Sequence, residues 1–287
     1  MRFCLSITGV LVLLSACTYV LPEKSELERV HELYEQEFID VQLPLPDNEW
    51  SGARDANEPP AVGGEFSKTL SAIAQYKLVP GQDARLAAHL TVLQGMIYLQ
   101  TGRPGMARLL EPEIAAAASS LLTSEGGLTR DALFAQSFDA LVIGWEEIWD
   151  YYDGDRATRP EWRRFQSSGD SIAKLLGDLP AGALGEAATY SGGLYLANTA
   201  AIFYLWAYNL GHQFGDPNDS DVPPPEEGDL GMYAARGRDA MKPFLTNEEV
   251  VAAASTDSLE QFATSTTGRF RYLAWYAWLN ENSQASP

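Results

Sequence analysis

Apolar residues recur at helical spacing along most of the chain, and this periodicity restricts the fold more than any other feature. Phe134, Phe138, Leu141, Trp145, Ile148 and Tyr152 are separated by four, three, four, three and four positions. That spacing puts all six on one stripe of a single helix. Leu27, Val30, Leu33, Tyr34, Phe38 and Ile39 form a comparable stripe near the start. Alternation with a period of two is absent over any useful length, so no sheet is expected. Further helices are predicted over 65–77, 82–101, 104–122, 159–176, 230–245, 247–254 and 257–280, separated by breakers such as Pro80-Gly81 and Gly102-Arg103. Pro104 suits the first turn of its helix, and Pro112 predicts a kink within it.

Residues 186–212 are the most apolar stretch, with no charge between Glu186 and His212. Asn198, Thr199 and Asn209 interrupt it, and no Lys or Arg lies close to either end. The positive flank that orients a membrane span is therefore missing, and the segment reads as a buried central helix. The expected fold class is all-α: stacked antiparallel helical hairpins around this central apolar helix.

Composition sets the partners that the surface tolerates. The 287 residues carry 39 Asp and Glu against 20 Lys and Arg, a formal charge of -19. Such a surface repels phosphate backbones, so nucleic acid is not an expected partner. Electrostatic docking on anionic lipid is disfavoured for the same reason.

The N-terminus carries an address. Arg2 precedes an apolar run from Leu5 to Leu14, followed by Ser15, Ala16 and Cys17. The run is too short for a membrane span and reads as a secretory signal peptide over 1–16. Leu14-Ser15-Ala16-Cys17 resembles the bacterial lipobox. The resemblance implies that Cys17 becomes the first mature residue and is acylated, for example with palmitate. The other cysteine, Cys4, leaves with the signal. Nothing then remains for a disulfide, a cysteine nucleophile or a thiolate metal site. By resemblance to lipoproteins, Thr18 in place of the Asp that retains them at the inner membrane favours the outer membrane, facing the periplasm, with inner-membrane retention as the alternative. The expected organisation is a signal peptide at 1–16, a lipidated N-terminus with first helix and linker at 17–63, and a helical domain at 64–287.

One hairpin has a more specific look. Gly95, Tyr98, Gly102 and Ala107 match by spacing the small and aromatic positions of a tetratricopeptide repeat, in which small residues let two helices approach and the ring fills the gap between hairpins. Glu111 departs from that pattern, and there is no clean second copy. The segment resembles a degenerate tetratricopeptide-like array. In overall plan the chain resembles helical lipoproteins that act as accessory (T) components of TRAP-type uptake systems.

Motifs for catalysis are sparse. There are three histidines, His31, His89 and His212. Glu28-x-x-His31 resembles half of a di-iron carboxylate site, but the second half is missing, so it reads as part of a solvated helix face. His89 lies inside an apolar helix, and His212 suits the negative end of its own. Asp216 to Asp221 with Glu227 faintly resembles an EF-hand loop but has Asp221 where glycine is required. No metal site and no cofactor are expected. Glu146, Glu147, Asp150 and Asp153 beside Trp145 and Trp149 suggest the paired carboxylates of a glycan-acting enzyme, or simply a solvated acidic face.

Aromatic residues supply the candidate binding site. Five of the nine residues 270–278 are aromatic, more than one helix face buries. Tyr272, Trp275, Tyr276 and Trp278, with Phe203, Tyr204 and Trp206 of the central helix, are the candidates for an apolar pocket or groove; filling the core is the alternative. The expected function is that of a non-enzymatic accessory lipoprotein of the cell envelope. It would bind a hydrophobic small molecule or an envelope protein, such as an outer-membrane channel or transporter. The alternatives are a scaffold for a pilus or secretion machine and, third, a glycan-acting enzyme.

Overall fold

The computed structural model describes residues 25–39, 66–81, 83–122, 128–153, 160–180, 183, 189–216, 218, 230–253 and 268–284. The expected signal peptide, Cys17 and residues 217 and 219–229 lie outside them. The described residues are helical, with no strand among them, so the fold is all-α. In chain order the helices are α1 (Glu26–Ile39), α2 (Ser67–Lys77), α3 (Ala84–Gln100), α4 (Pro104–Ala117), α5 (Arg130–Asp153), α6 (Trp162–Gly177), α7 (Tyr195–Phe214), α8 (Leu230–Met241), α9 (Asn247–Ala253) and α10 (Gly268–Gln284). A 3-10 turn, Ala118–Leu121, follows α4. A π turn, Thr189–Leu194, leads into α7, so the central helix starts later than its apolar composition suggests.

Local chemistry sets the ends. Asp83 caps α3 by accepting from Arg85 N–H at 2.8 Å. The other end closes on Gly102, whose φ of 68° lies where glycine is favoured. There Arg103 N–H reaches the Tyr98 carbonyl at 2.8 Å and Gly102 N–H reaches Leu99 at 3.3 Å, closing the helix in a Schellman turn. α4 starts at once with Pro104 and continues through Pro112 to Ala117. Ser25 and Glu28 form a reciprocal capping box on α1, with Ser25 N–H donating to Glu28 Oε2 at 2.7 Å. Glu28 is thereby an N-terminal cap of α1.

Each helix from α3 to α8 packs on the one before it, and α10 returns against α8. α7 is enclosed between α6 and α8, with Tyr195 to Leu205 all buried. No described helix is long and apolar enough to cross a membrane. Two apolar clusters result. The larger joins α3, α4, α5, α6, α7, α8 and α10. The smaller joins Val30 and Tyr34 of α1, Phe66, Ile73 of α2, and Leu90, Leu93 and Ile97 of α3. α1, grouped with the N-terminal linker on sequence grounds, thus packs onto α2 and α3. Glu37 ties the first two helices together by accepting from Lys68 N–H at 3.0 Å, Thr69 N–H at 2.9 Å and the Thr69 hydroxyl at 2.6 Å.

α7 and α8 approach closely at Gly237. A Cβ on Gly237 would lie 2.8 Å from the Ala201 Cβ and 3.1 Å from its Cα, and backbone cannot move aside. Gly237→Ala is therefore expected to destabilise the fold by about 1–3 kcal/mol through overpacking. Gly105, exposed on α4 with nothing near its missing Cβ, is the control: Gly105→Ala should be neutral or raise stability by up to about 1 kcal/mol. Urea denaturation of the two variants checks the contrast.

Candidate functional site

The aromatic residues proposed for binding lie in the core. Phe203, Tyr204, Tyr272, Trp275, Tyr276 and Trp278 are all buried. Trp206 is half-buried and packs against Trp145, Phe165 and Phe203 at centroid separations of 5.6, 5.7 and 5.9 Å. Trp275 and Trp278 meet edge to face at 6.2 Å. Every residue from Tyr272 to Leu279 is buried, so α10 is enclosed on all sides along this stretch, which is how it buries more rings than one helix face holds.

Of the acidic residues of 145–153, Glu146 and Glu147 are committed to ion pairs. Glu146 receives both arms of Arg108, at 2.6 and 2.5 Å, which links α5 to α4. Glu147 accepts from Arg164 at 3.1 Å and from the Glu161 N–H at 2.5 Å. Asp150 is exposed, and Asp153's side chain lies outside the described residues.

A different set of residues converges where α1 crosses α3 and the start of α5. Asp131, almost fully buried, presents Oδ2 to His31 Nε2 at 3.0 Å and to His89 Nδ1 at 2.7 Å. Its other oxygen, Oδ1, accepts from Arg130 Nε at 3.3 Å. The Arg130 Nη1 donates to Glu35 of α1. The guanidinium lies 4.9 Å above the Tyr34 ring, and Phe66 stacks against Tyr34 at 5.4 Å. The Tyr34 hydroxyl is hydrogen-bonded to Gln100, whose Nε2 donates to it at 3.0 Å. The π turn closes this region from the α7 side: a Cβ on Gly192 would lie 3.2 Å from Arg130 Cγ. His31 remains about 30% exposed while His89 is 5% exposed, so the cluster opens to solvent beside α1.

Electrostatics in this centre favour an ionised carboxylate. Burial alone would raise the Asp131 pKa, but hydrogen bonds from His31 and His89 and the charge of Arg130 outweigh it, holding the carboxyl well below its usual range. Burial would also discharge Arg130, yet Asp131, Tyr34 and Glu35 hold its pKa above the ordinary value. Two polar atoms are left over. Arg130 Nη2 and the Tyr272 hydroxyl are buried without a hydrogen-bond partner. Tyr272 lies within electrostatic range of Tyr34, Tyr195 and Glu35, the same neighbourhood. A buried polar atom without a partner costs about 1–3 kcal/mol.

His31, His89 and Asp131 were not grouped by sequence. Their separations, 42 positions between His89 and Asp131 and 100 between His31 and Asp131, match no local motif. The available signal was His89, a polar side chain inside an otherwise apolar helix, which needs a partner. The chain matches no family model, no curated protein and no solved structure.

The buried phenols give a pH dependence. Burial raises the pKa of Tyr34, Tyr195 and Tyr272. A group whose folded pKa is raised stabilises the fold fully below its unfolded pKa, about 10, and loses that contribution as pH rises. Unfolding free energy should therefore fall from about pH 10 upward, with phenolate absorbance appearing as the protein unfolds. Tyr272→Phe should reduce the alkaline fall and cost little at pH 7, because it removes a hydroxyl without a partner. Phenolate absorbance that rises near pH 10 while the fold stays intact would contradict this.

Proposed function

We propose that the chain is a lipid-anchored, non-enzymatic accessory protein of the cell envelope that captures a small ligand in the polar centre beneath α1. The observation that carries the binding reading is the pair of unsatisfied buried donors, Arg130 Nη2 and the Tyr272 hydroxyl. A guanidinium with one arm unused suits an acceptor group such as a carboxylate. The apolar character of the ligand, expected from the aromatic residues, loses its support, since those rings fill the core.

The envelope location rests on the sequence of the first seventeen residues. Cys17 lies nine positions before the start of α1, so a tether there would span at most about 30 Å. The lipid anchor would thus hold the helix that carries His31 and Glu35 close to the membrane. The outer membrane facing the periplasm and a transport role beside a channel or transporter complete this reading. The α3–α4 hairpin, with buried Ala107 and the Gly102 turn, supports a tetratricopeptide-like description of that pair. A second reading, a scaffold for an envelope machine, is favoured by Met106 and Leu109, exposed three positions apart on α4.

Two measurements test the proposal. Cys17→Ser should leave the protein unprocessed or release it from the membrane; a variant that still partitions into detergent like the parent contradicts the anchor. Native mass spectrometry of the full lipoprotein, extracted in mild detergent, should show an organic adduct that Arg130→Lys loses. A parent mass equal to the lipidated chain alone contradicts capture at Arg130.

A further inference from the structure

We propose that His31, His89 and Asp131 form a binding site for a divalent transition-metal ion of the Zn2+ type. This deepens the binding reading in taking the polar centre as the working site. It depends on neither the lipid anchor nor the organic ligand at Arg130.

The donor set selects the ion. His31 Nε2, His89 Nδ1 and an Asp131 oxygen lie within 4.8 Å of one another. Two imidazole nitrogens and one carboxylate oxygen suit zinc and its first-row neighbours. Calcium and magnesium prefer all-oxygen shells and larger or octahedral coordination. Each ligand comes from a different helix, α1, α3 and α5, so the site exists only in the folded protein. The two imidazole rings stand at 78° with centroids 6.3 Å apart, directing their nitrogens to one carboxylate from different sides.

The distances are those of a hydrogen-bonded trio, and the adjustment an ion requires is small. A four-coordinate ion with bonds of about 2.0–2.1 Å keeps its ligand atoms about 3.4 Å apart. The contacts of 3.0 and 2.7 Å therefore open by about half an ångström, accompanied by loss of the shared protons. Asp131 is already ionised, and Arg130 Nε on Oδ1 orients the carboxylate so that Oδ2 faces both rings. The positive charge of Arg130 opposes a cation, but its pairing with Glu35 offsets that repulsion. Three protein ligands leave a fourth position open, and the exposed edge of His31 places it toward solvent. A water or a ligand carboxylate fits there.

The test uses the full lipoprotein in non-ionic detergent, stripped with a chelator and titrated with Co2+, whose visible d–d absorption reports coordination geometry. The parent should take up one equivalent and show the intense bands of a four-coordinate ion. Zn2+ should displace the cobalt, and Ca2+ should not. His31→Ala, at the more exposed of the two histidines, should weaken binding at least about a hundredfold. His89→Ala should do the same. His212→Ala, at the far end of α7, should leave binding unchanged. Circular dichroism confirms that each variant is folded. Equal Co2+ affinity in the parent and His31→Ala, or no uptake by the folded parent, would show that the trio is a hydrogen-bonded network only and overturn the proposal. That result would leave Cys17→Ser partitioning and the organic adduct at Arg130 to be judged separately.

Discussion

Asp131 is an ionised carboxylate with almost no contact with water, and the arrangement around it follows from that single fact. Removing a carboxylate from water costs several kcal/mol unless partners replace its hydration. Here the partners come from three helices: His31 from α1, His89 from α3 and the adjacent Arg130 from α5. The pairing fixes α1 over α3 and α5, and the apolar contacts of Val30, Tyr34 and Phe66 then close a small second core beside the main one. Breaking one arm of such a network is expensive, because the remaining charge stays buried.

The main core shows the opposite solution. α7 and α10 bury aromatic rings in quantity and contain no buried charged side chain among their described residues. The surface of the protein is acidic overall, yet its polar centre contains a buried guanidinium sandwiched against Tyr34 and paired to carboxylates on two helices. Its charge is matched by those carboxylates, and what it keeps for an acceptor group is one unused donor, Nη2. The reading of this region as a binding centre rests on that contrast, together with the unused donors beside it.

The helical architecture was legible in the sequence because periodicity reports burial directly. The stripe from Phe134 to Tyr152 lies on one helix, α5. Boundaries moved where backbone chemistry intervened, as at the π turn before Tyr195. The polar centre was hidden for a physical reason: its members meet only when α1 folds back over α3 and α5. The charged side of α1 places His31 on a solvated face, whereas the fold turns it toward Asp131 and makes the neighbouring Glu28 a helix cap. The surplus of rings in 270–278 points toward a groove only if one face of the helix is buried, whereas α10 is buried on all sides from Tyr272 to Leu279.

The central claim is that Asp131 holds α1 in place as part of the polar centre. Hydrogen–deuterium exchange of the full chain and its Asp131→Asn variant tests this. Amides of α1 and α2 should lose protection in the variant while those of α7 keep theirs. Unchanged protection in α1, or an even loss across all helices, would contradict it.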